Sequence, residues 1–227
     1  MSTVAKHEIE TAAELLELIE RLGGIPPHRI LLRPTPGEAT EADLLDHLSR
    51  ANKTCELVDG TLVEKAMGKG ESFLAVWIIR CLDAYVVPRD LGYFASGDGI
   101  VRLRPGVVRA PDISFIRLAK LPDGLFDMTP IGELIPDLAI EVISASNTKD
   151  EIVRKIGEYF LAGIEAVWIV DHFRRVVVVH TSPEDAVTLA ETDTLDGGTV
   201  FPGLDLPLAR IFECVPLTKR RNRRKKS

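Results

Sequence analysis

Three residues far apart in the chain have the types that could do chemistry together: Asp112 after Pro111, Glu141 inside the run Leu138 to Ile143, and Lys155 further on. Leu138, Ala139, Ile140, Val142 and Ile143 make a short β-rich apolar run, the kind that fills an interior strand. A carboxylate in the middle of it is costly unless something compensates it. Two carboxylates at strand positions with a helix-borne cation have the composition of a magnesium-dependent phosphodiesterase. Asp112, Glu141 and the backbone carbonyl of Val142 would supply hard oxygen ligands to Mg2+ (or Mn2+), with water and a phosphate oxygen completing the shell. The ion would lower the pKa of a bound water and stabilise charge in the transition state. Lys155 would orient the attacking water or neutralise the developing charge, and the neighbouring carboxylates would keep it protonated. Bland readings stand beside these. Asp112 after a proline also suits a turn, and a buried Glu141–Lys155 ion pair without metal would satisfy both partners.

The elements that must position these residues are legible nearby. Ser146-Asn147-Thr148 supplies turn and capping chemistry, and Thr148 with Glu151 has capping-box spacing, so a helix is expected from about Lys149 to near Gly163. Ile152, Ile156, Tyr159 and Phe160 form its apolar stripe, with Lys155 at the edge, so Glu141 and Lys155 both point to buried ground. Val167 to Val170 reads as a second interior strand, and Val176 to His180 pairs with it as a hairpin. Upstream, Asp112, Ser114 and Ile116 share one face of a strand over 112–117. Asp59-Gly60 marks a tight hairpin within 55–67. The apolar helix that follows, closed by Pro88, carries Phe73, Leu74, Val76, Trp77, Ile78, Ile79, Leu82 and Tyr85 and should be largely covered by protein. Strands are expected at 92–96 and 100–103, joined by the turn Gly97-Asp98-Gly99. A loop is expected over 121–136, and edge strands over 186–190, 199–201 and 206–211. Before all this, helices at 10–22 and 41–50 flank an extended linker.

Composition sets the limits. The chain has 227 residues, 45% hydrophobic and 27% charged, enough for one large domain or a core with an appendage. No apolar run approaches the roughly 20 residues that span a bilayer, and Lys6, His7 and Glu8 interrupt any signal-peptide centre, so the expectation is a cytoplasmic protein without membrane contact. Cys55, Cys81 and Cys214 lack metal-ligand spacing and read as small buried hydrophobes. His172 and His180 flank a hairpin and read as surface residues. Residues 219–226 carry seven positive charges; setting them aside leaves −13 on the remainder of a chain whose net charge is −6. Such a tail can hold phosphate backbones without sequence preference, or simply be solvated and disordered.

Pro111-Asp112, then Glu141-Val142-Ile143-Ser144, then Asp150 with Lys155, Tyr159, Gly163 and Val167-Trp168-Ile169-Val170-Asp171 occur in an order that resembles the Uma-two family of restriction-endonuclease-like proteins. That family belongs to the PD-(D/E)XK nuclease superfamily. Glu56-Leu57-Val58-Asp59-Gly60 resembles the family's opening motif, so the likeness spans about residues 50 to 210. The resemblance implies an α/β restriction-endonuclease-like core, a mixed central β-sheet flanked by helices. It also implies a divalent metal and endonucleolytic hydrolysis of DNA phosphodiester bonds, with Lys155 on the helix standing in for the superfamily's strand lysine. Residues 1–50 would form an N-terminal helical extension, 51–213 the nuclease domain and 214–227 a basic tail.

Two departures accompany the likeness. Ile143 occupies the position of the lysine in the simple pattern, and Glu71-Ser72 stands where relatives often carry a histidine. Glu71 is either a third acidic ligand, a base near the metal, or a helix-end carboxylate favoured by the dipole. Glu56, Ser144 and Tyr159 are expected to support the site. A nuclease-fold module that binds nucleic acid or a partner and hydrolyses nothing is the alternative function. A homodimer would suit the cutting of two strands.

Overall fold

The computed structural model describes residues 9, 11–51, 53–125 and 128–215. The basic run at 219–226 and the segment around Lys6 lie outside the described residues. In chain order the elements are helices α1 (Ala12–Arg21) and α2 (Glu41–Arg50), strands β1 (Cys55–Val58) and β2 (Thr61–Glu64), helix α3 (Lys69–Val86), and strands β3 (Gly92–Ser96), β4 (Val101–Arg104), β5 (Val107–Arg109), β6 (Ile113–Arg117) and β7 (Leu138–Val142). Helix α4 (Lys149–Ala162) follows, then β8 (Ala166–Asp171), β9 (Val176–His180), β10 (Ala186–Ala190), β11 (Thr194–Asp196), β12 (Asp205–Pro207) and α5 (Leu208–Phe212).

A six-stranded mixed sheet runs β10-β9-β8-β7-β6-β3, and a four-stranded antiparallel sheet runs β2-β1-β5-β4. Strands β7 and β8 are parallel, as the intervening α4 requires, and β6 pairs antiparallel with β7. Both faces of the large sheet are covered, which is why its middle strands are apolar throughout. Leu138, Ile140 and Val142 point toward α3 and α5, while Ala139 on the opposite face packs with Ile152, Ile156 and Tyr159 of α4. Glu141 shares the face of Ala139 by strand alternation.

Helix α4 begins where its capping residues put it. The Thr148 hydroxyl accepts from the Glu151 N–H at 3.1 Å, and Gly163 ends the helix at φ +98°. Only half of the anticipated capping box forms, because the Glu151 carboxylate turns away to the Arg29 guanidinium, with contacts of 2.7 and 3.0 Å. The hairpin at Asp59-Gly60 has both turn residues at positive φ, +47° and +71°, as a two-residue primed turn demands. A Cβ on Gly60 would lie 2.4 Å from the Gly37 carbonyl oxygen. Gly60→Ala should therefore lower the melting temperature by about 3 to 8 °C, measurable by circular dichroism; an unchanged melt would show that the turn and the 37–39 segment relax freely.

Several sequence expectations are corrected. The turn at 97–99 carries the chain from β3 in the large sheet to β4 in the small one, and β4 pairs with β5, a strand the sequence did not announce because three residues show no periodicity. Residues 199–201 form a turn instead of a strand: Phe201 is drawn inward against Phe94, Phe115 and Trp168 and donates its N–H to Gly197. In 206–211 the strand stops at Pro207 and α5 follows, which lets Leu208, Ile211 and Phe212 join the core at helical spacing. Helix α3 is less covered than its composition suggests, with Phe73 66% and Val76 60% exposed. Cys55 and Cys81 are buried, whereas Cys214 is exposed in the last turns of the described chain. Among the described residues no helix is long and apolar enough to cross a membrane.

Candidate functional site

Strand register brings the acids together. Ile113 pairs with Ile140, so one further step places Asp112 opposite Glu141 on the same face. The Val142 N–H donates to Asp112 Oδ2 at 2.6 Å, fixing the aspartate at the mouth of β6. Helix α4 lies over this face and projects Lys155 and Tyr159, one turn apart, at Glu141. The Lys155 ammonium is 3.1 Å from Glu141 Oε1 and 3.1 Å from Glu56 Oε1, and the Tyr159 hydroxyl donates a short hydrogen bond to Glu141 Oε1. Asp112, Glu141 and Lys155 are respectively 2%, 4% and 2% exposed.

The second sheet contributes Glu56, on β1. Its carboxylate accepts from the Ala110 N–H at 3.1 Å and from Arg109 at 2.8 Å. Arg109 also binds Glu158 of α4, with Nε to Oε2 at 2.7 Å. Glu56 therefore anchors Lys155 from the sheet opposite Glu141. Ser144 donates both its N–H and its hydroxyl to Asn147 Oδ1, at 2.9 and 3.0 Å, and so shapes the turn that leads into α4. Glu71 stands apart from the trio. Its carboxylate lies against Gly68 and 4.0 Å from the His172 ring nitrogen, and no side chain caps the N-terminus of α3. His172 and His180 are half-buried, each with a ring nitrogen shielded from solvent.

The electrostatics separate the three central groups. Burial pushes the Glu141 carboxyl above its ordinary value; Lys155 opposes this, and the nearby Asp112 carboxylate adds to it. Burial also acts on Glu56, but the charges of Lys155, Arg109 and Lys65 outweigh it and hold that carboxyl well below the usual range. For Lys155, burial favours the neutral amine, yet Glu141 and Glu56 outweigh it and raise the ammonium's pKa. Glu141 is thus compensated by its cations less than Glu56 is.

Sequence reasoning missed two participants. Lys65 follows β2, its side chain only 4% exposed, with Nζ 2.8 Å from Asp112 Oδ1. Arg109 is 1% exposed between Glu56 and Glu158. For Lys65 the available signal was alternation: it ends the hairpin run that begins at Glu56, so a buried position was readable although its partner was not.

A cleft of about 750 Å3 opens over this region, lined by Arg29, Glu64, Lys65, Glu71, Asp98 and Ser144 among others. Asp112, Glu141 and Lys155 are not among its lining residues; Lys65, which lines it, touches Asp112. A divalent ion suits the chemistry of the donors on two observations. Asp112 Oδ1 has no hydrogen bond among the described residues and meets only the Lys65 ammonium, and burial pushes the Glu141 carboxyl up despite Lys155. Among the described residues no three His, Cys, Asp or Glu side chains converge as a ready ligand set. An ion here would draw on two carboxylates, the Val142 carbonyl and water.

A family model described as "Uma2: Putative restriction endonuclease" matches residues 42–209. No curated protein matches the chain. Among solved structures, the chain is similar to a crystal structure from Anabaena variabilis titled "putative nuclease belonging to DUF820", with 19% sequence identity and a TM-score of 0.63 over 75% of this chain and 97% of that one. At that identity the likeness carries the fold alone: a mixed sheet flanked by helices.

Proposed function

Because this chain belongs to the Uma2 family of restriction-endonuclease-like proteins, we propose that it is a metal-dependent endonuclease that hydrolyses phosphodiester bonds in DNA. The observation that carries this reading is the convergence, from two strands and a helix, of Asp112, Glu141 and Lys155 on one buried face. Asp112, Glu141 and the Val142 carbonyl would hold Mg2+ or Mn2+, which when bound supplies an acidified water and charge for the transition state. Lys155 acts by its charge and its donors. An ammonium whose pKa is raised by two carboxylates does not give up its proton near neutrality, so it positions water or phosphate oxygen instead of serving as a general base. Tyr159 and Glu56 hold Glu141 and Lys155 in place.

The test is incubation of the purified protein with plasmid and with single-stranded DNA in Mg2+ or Mn2+, beside Glu141→Ala. We expect nicking by the wild type and a loss of about a thousandfold in the variant; equal outcomes from both proteins would defeat the enzyme reading. One observation favours the alternative of a binding module without hydrolysis: Lys65 and Lys155 already pair the two acids, which are nearly inaccessible. DNA retention without cleavage in the same assay would select it.

A further inference from the structure

Lys65 stands between the cleft and the acids. Its side chain lines the cleft, and its ammonium rests on Asp112 Oδ1 at 2.8 Å. A buried ammonium has three protons to place. Among the described residues Lys65 donates one long hydrogen bond, 3.4 Å to the Gly97 carbonyl, and meets Asp112 without hydrogen-bond alignment. Its attachment is thus a single carboxylate at 2.8 Å and one long hydrogen bond. Lys155, by contrast, is held by two carboxylates at 3.1 Å. The seat for Lys65 is nonetheless built: a Cβ at position 97 would come within 2.7 Å of Nζ and 3.2 Å of the Met67 methyl, so glycine there makes the room. The Lys65 charge also acts on Glu56 and Glu141, so this cation serves the whole acidic cluster.

We propose that Lys65 is a built-in placeholder cation: it neutralises Asp112 from the cleft side, a divalent ion must displace it to reach Asp112 and Glu141, and the displaced ammonium swings into the cleft. This rests on the metal-dependent reading above and adds a competition to it. A divalent ion on Asp112 Oδ1 would repel an ammonium resting on that same oxygen, so binding of the ion and seating of Lys65 oppose each other. The freed ammonium then lies where a DNA phosphate would enter, so the site gains a phosphate contact only once it is loaded.

The competition is read from Mn2+ binding, followed by electron paramagnetic resonance, in the wild type, Lys65→Met, Lys65→Gln and Asp112→Asn. Loss of the competing charge should tighten Mn2+ binding about tenfold in both lysine variants, while Asp112→Asn loses it. A merely structural lysine would leave affinity unchanged or lower it. A second measurement uses only wild-type protein: reductive methylation of Lys65, read by mass spectrometry, should rise at least several-fold when Mn2+ is added. If Mn2+ binds through Asp112 but Lys65 stays protected and its variants bind no tighter, the placeholder is overturned and the metal site stands. If Mn2+ does not bind in any of the four proteins, both fall.

Discussion

Lys155→Met is expected to bind no Mn2+ at pH 7 and to lose DNA cleavage by about a thousandfold or more. The side chains have similar volume, so the change removes the charge that lies 3.1 Å from both Glu56 and Glu141. Burial already raises the Glu141 carboxyl and Lys155 is the largest opposing influence. Without it the Glu141 carboxyl is pushed higher still, and a protonated carboxyl is a poor metal ligand. A raised folded-state pKa stabilises the protein below the unfolded value and loses that contribution as pH rises through the folded one. Ion binding, which needs the deprotonated form, therefore strengthens with rising pH. In the variant this rise should move to higher pH than in the wild type, as a Mn2+ titration from pH 6 to 9 would show. Cleavage at the wild-type rate, or an unmoved pH dependence of Mn2+ binding, would remove Lys155 from the site.

The largest stability effect is expected at Arg109, which no metal chemistry requires. Arg109→Met takes from the fully buried Glu56 carboxylate one of its two ion-pair partners, leaving Lys155, and removes the cross-link to Glu158 that ties β5 to α4. Breaking a buried pair by removing one partner costs about 3 to 5 kcal/mol, a fall of roughly 6 to 20 °C in melting temperature for a domain this long. The sign of its pH dependence follows from Glu56. A carboxyl held well below its ordinary 4.5 stabilises the fold above that value and loses this contribution as pH falls through its folded-state value. Part of the depression comes from Arg109, so the gap between wild type and variant should be widest at pH 6 to 7 and narrow toward pH 3. A gap that stayed constant on acidification would mean that Arg109 stabilises the fold by packing alone.

Much of the frame was legible in the primary structure because it is written in local chemistry. Thr148 and Gly163 bracket α4, Asp59-Gly60 closes the first hairpin, and the apolar runs around Glu141 and Trp168 mark the two central strands. A lone acid in such a run, followed by a helix with a lysine at the edge of its apolar stripe, already says that two charges go inward. The order of these motifs also carries the family.

What the linear order withheld was partnership. Lys65 and Arg109 sit in unremarkable surroundings, and nothing local says that one meets Asp112 and the other joins Glu56 to Glu158. The aromatic contacts of Phe201 that replace an expected strand with a turn, and the transfer of the chain from β3 to a second sheet at Gly97, are decided by what is left to cover once the sheet exists. Local sequence fixes which dihedrals are cheap and which side chains must leave water. Only the packed sheets and the helix between them decide which charge neutralises which, because ion pairing in a buried place depends on distances between residues that the chain order keeps far apart.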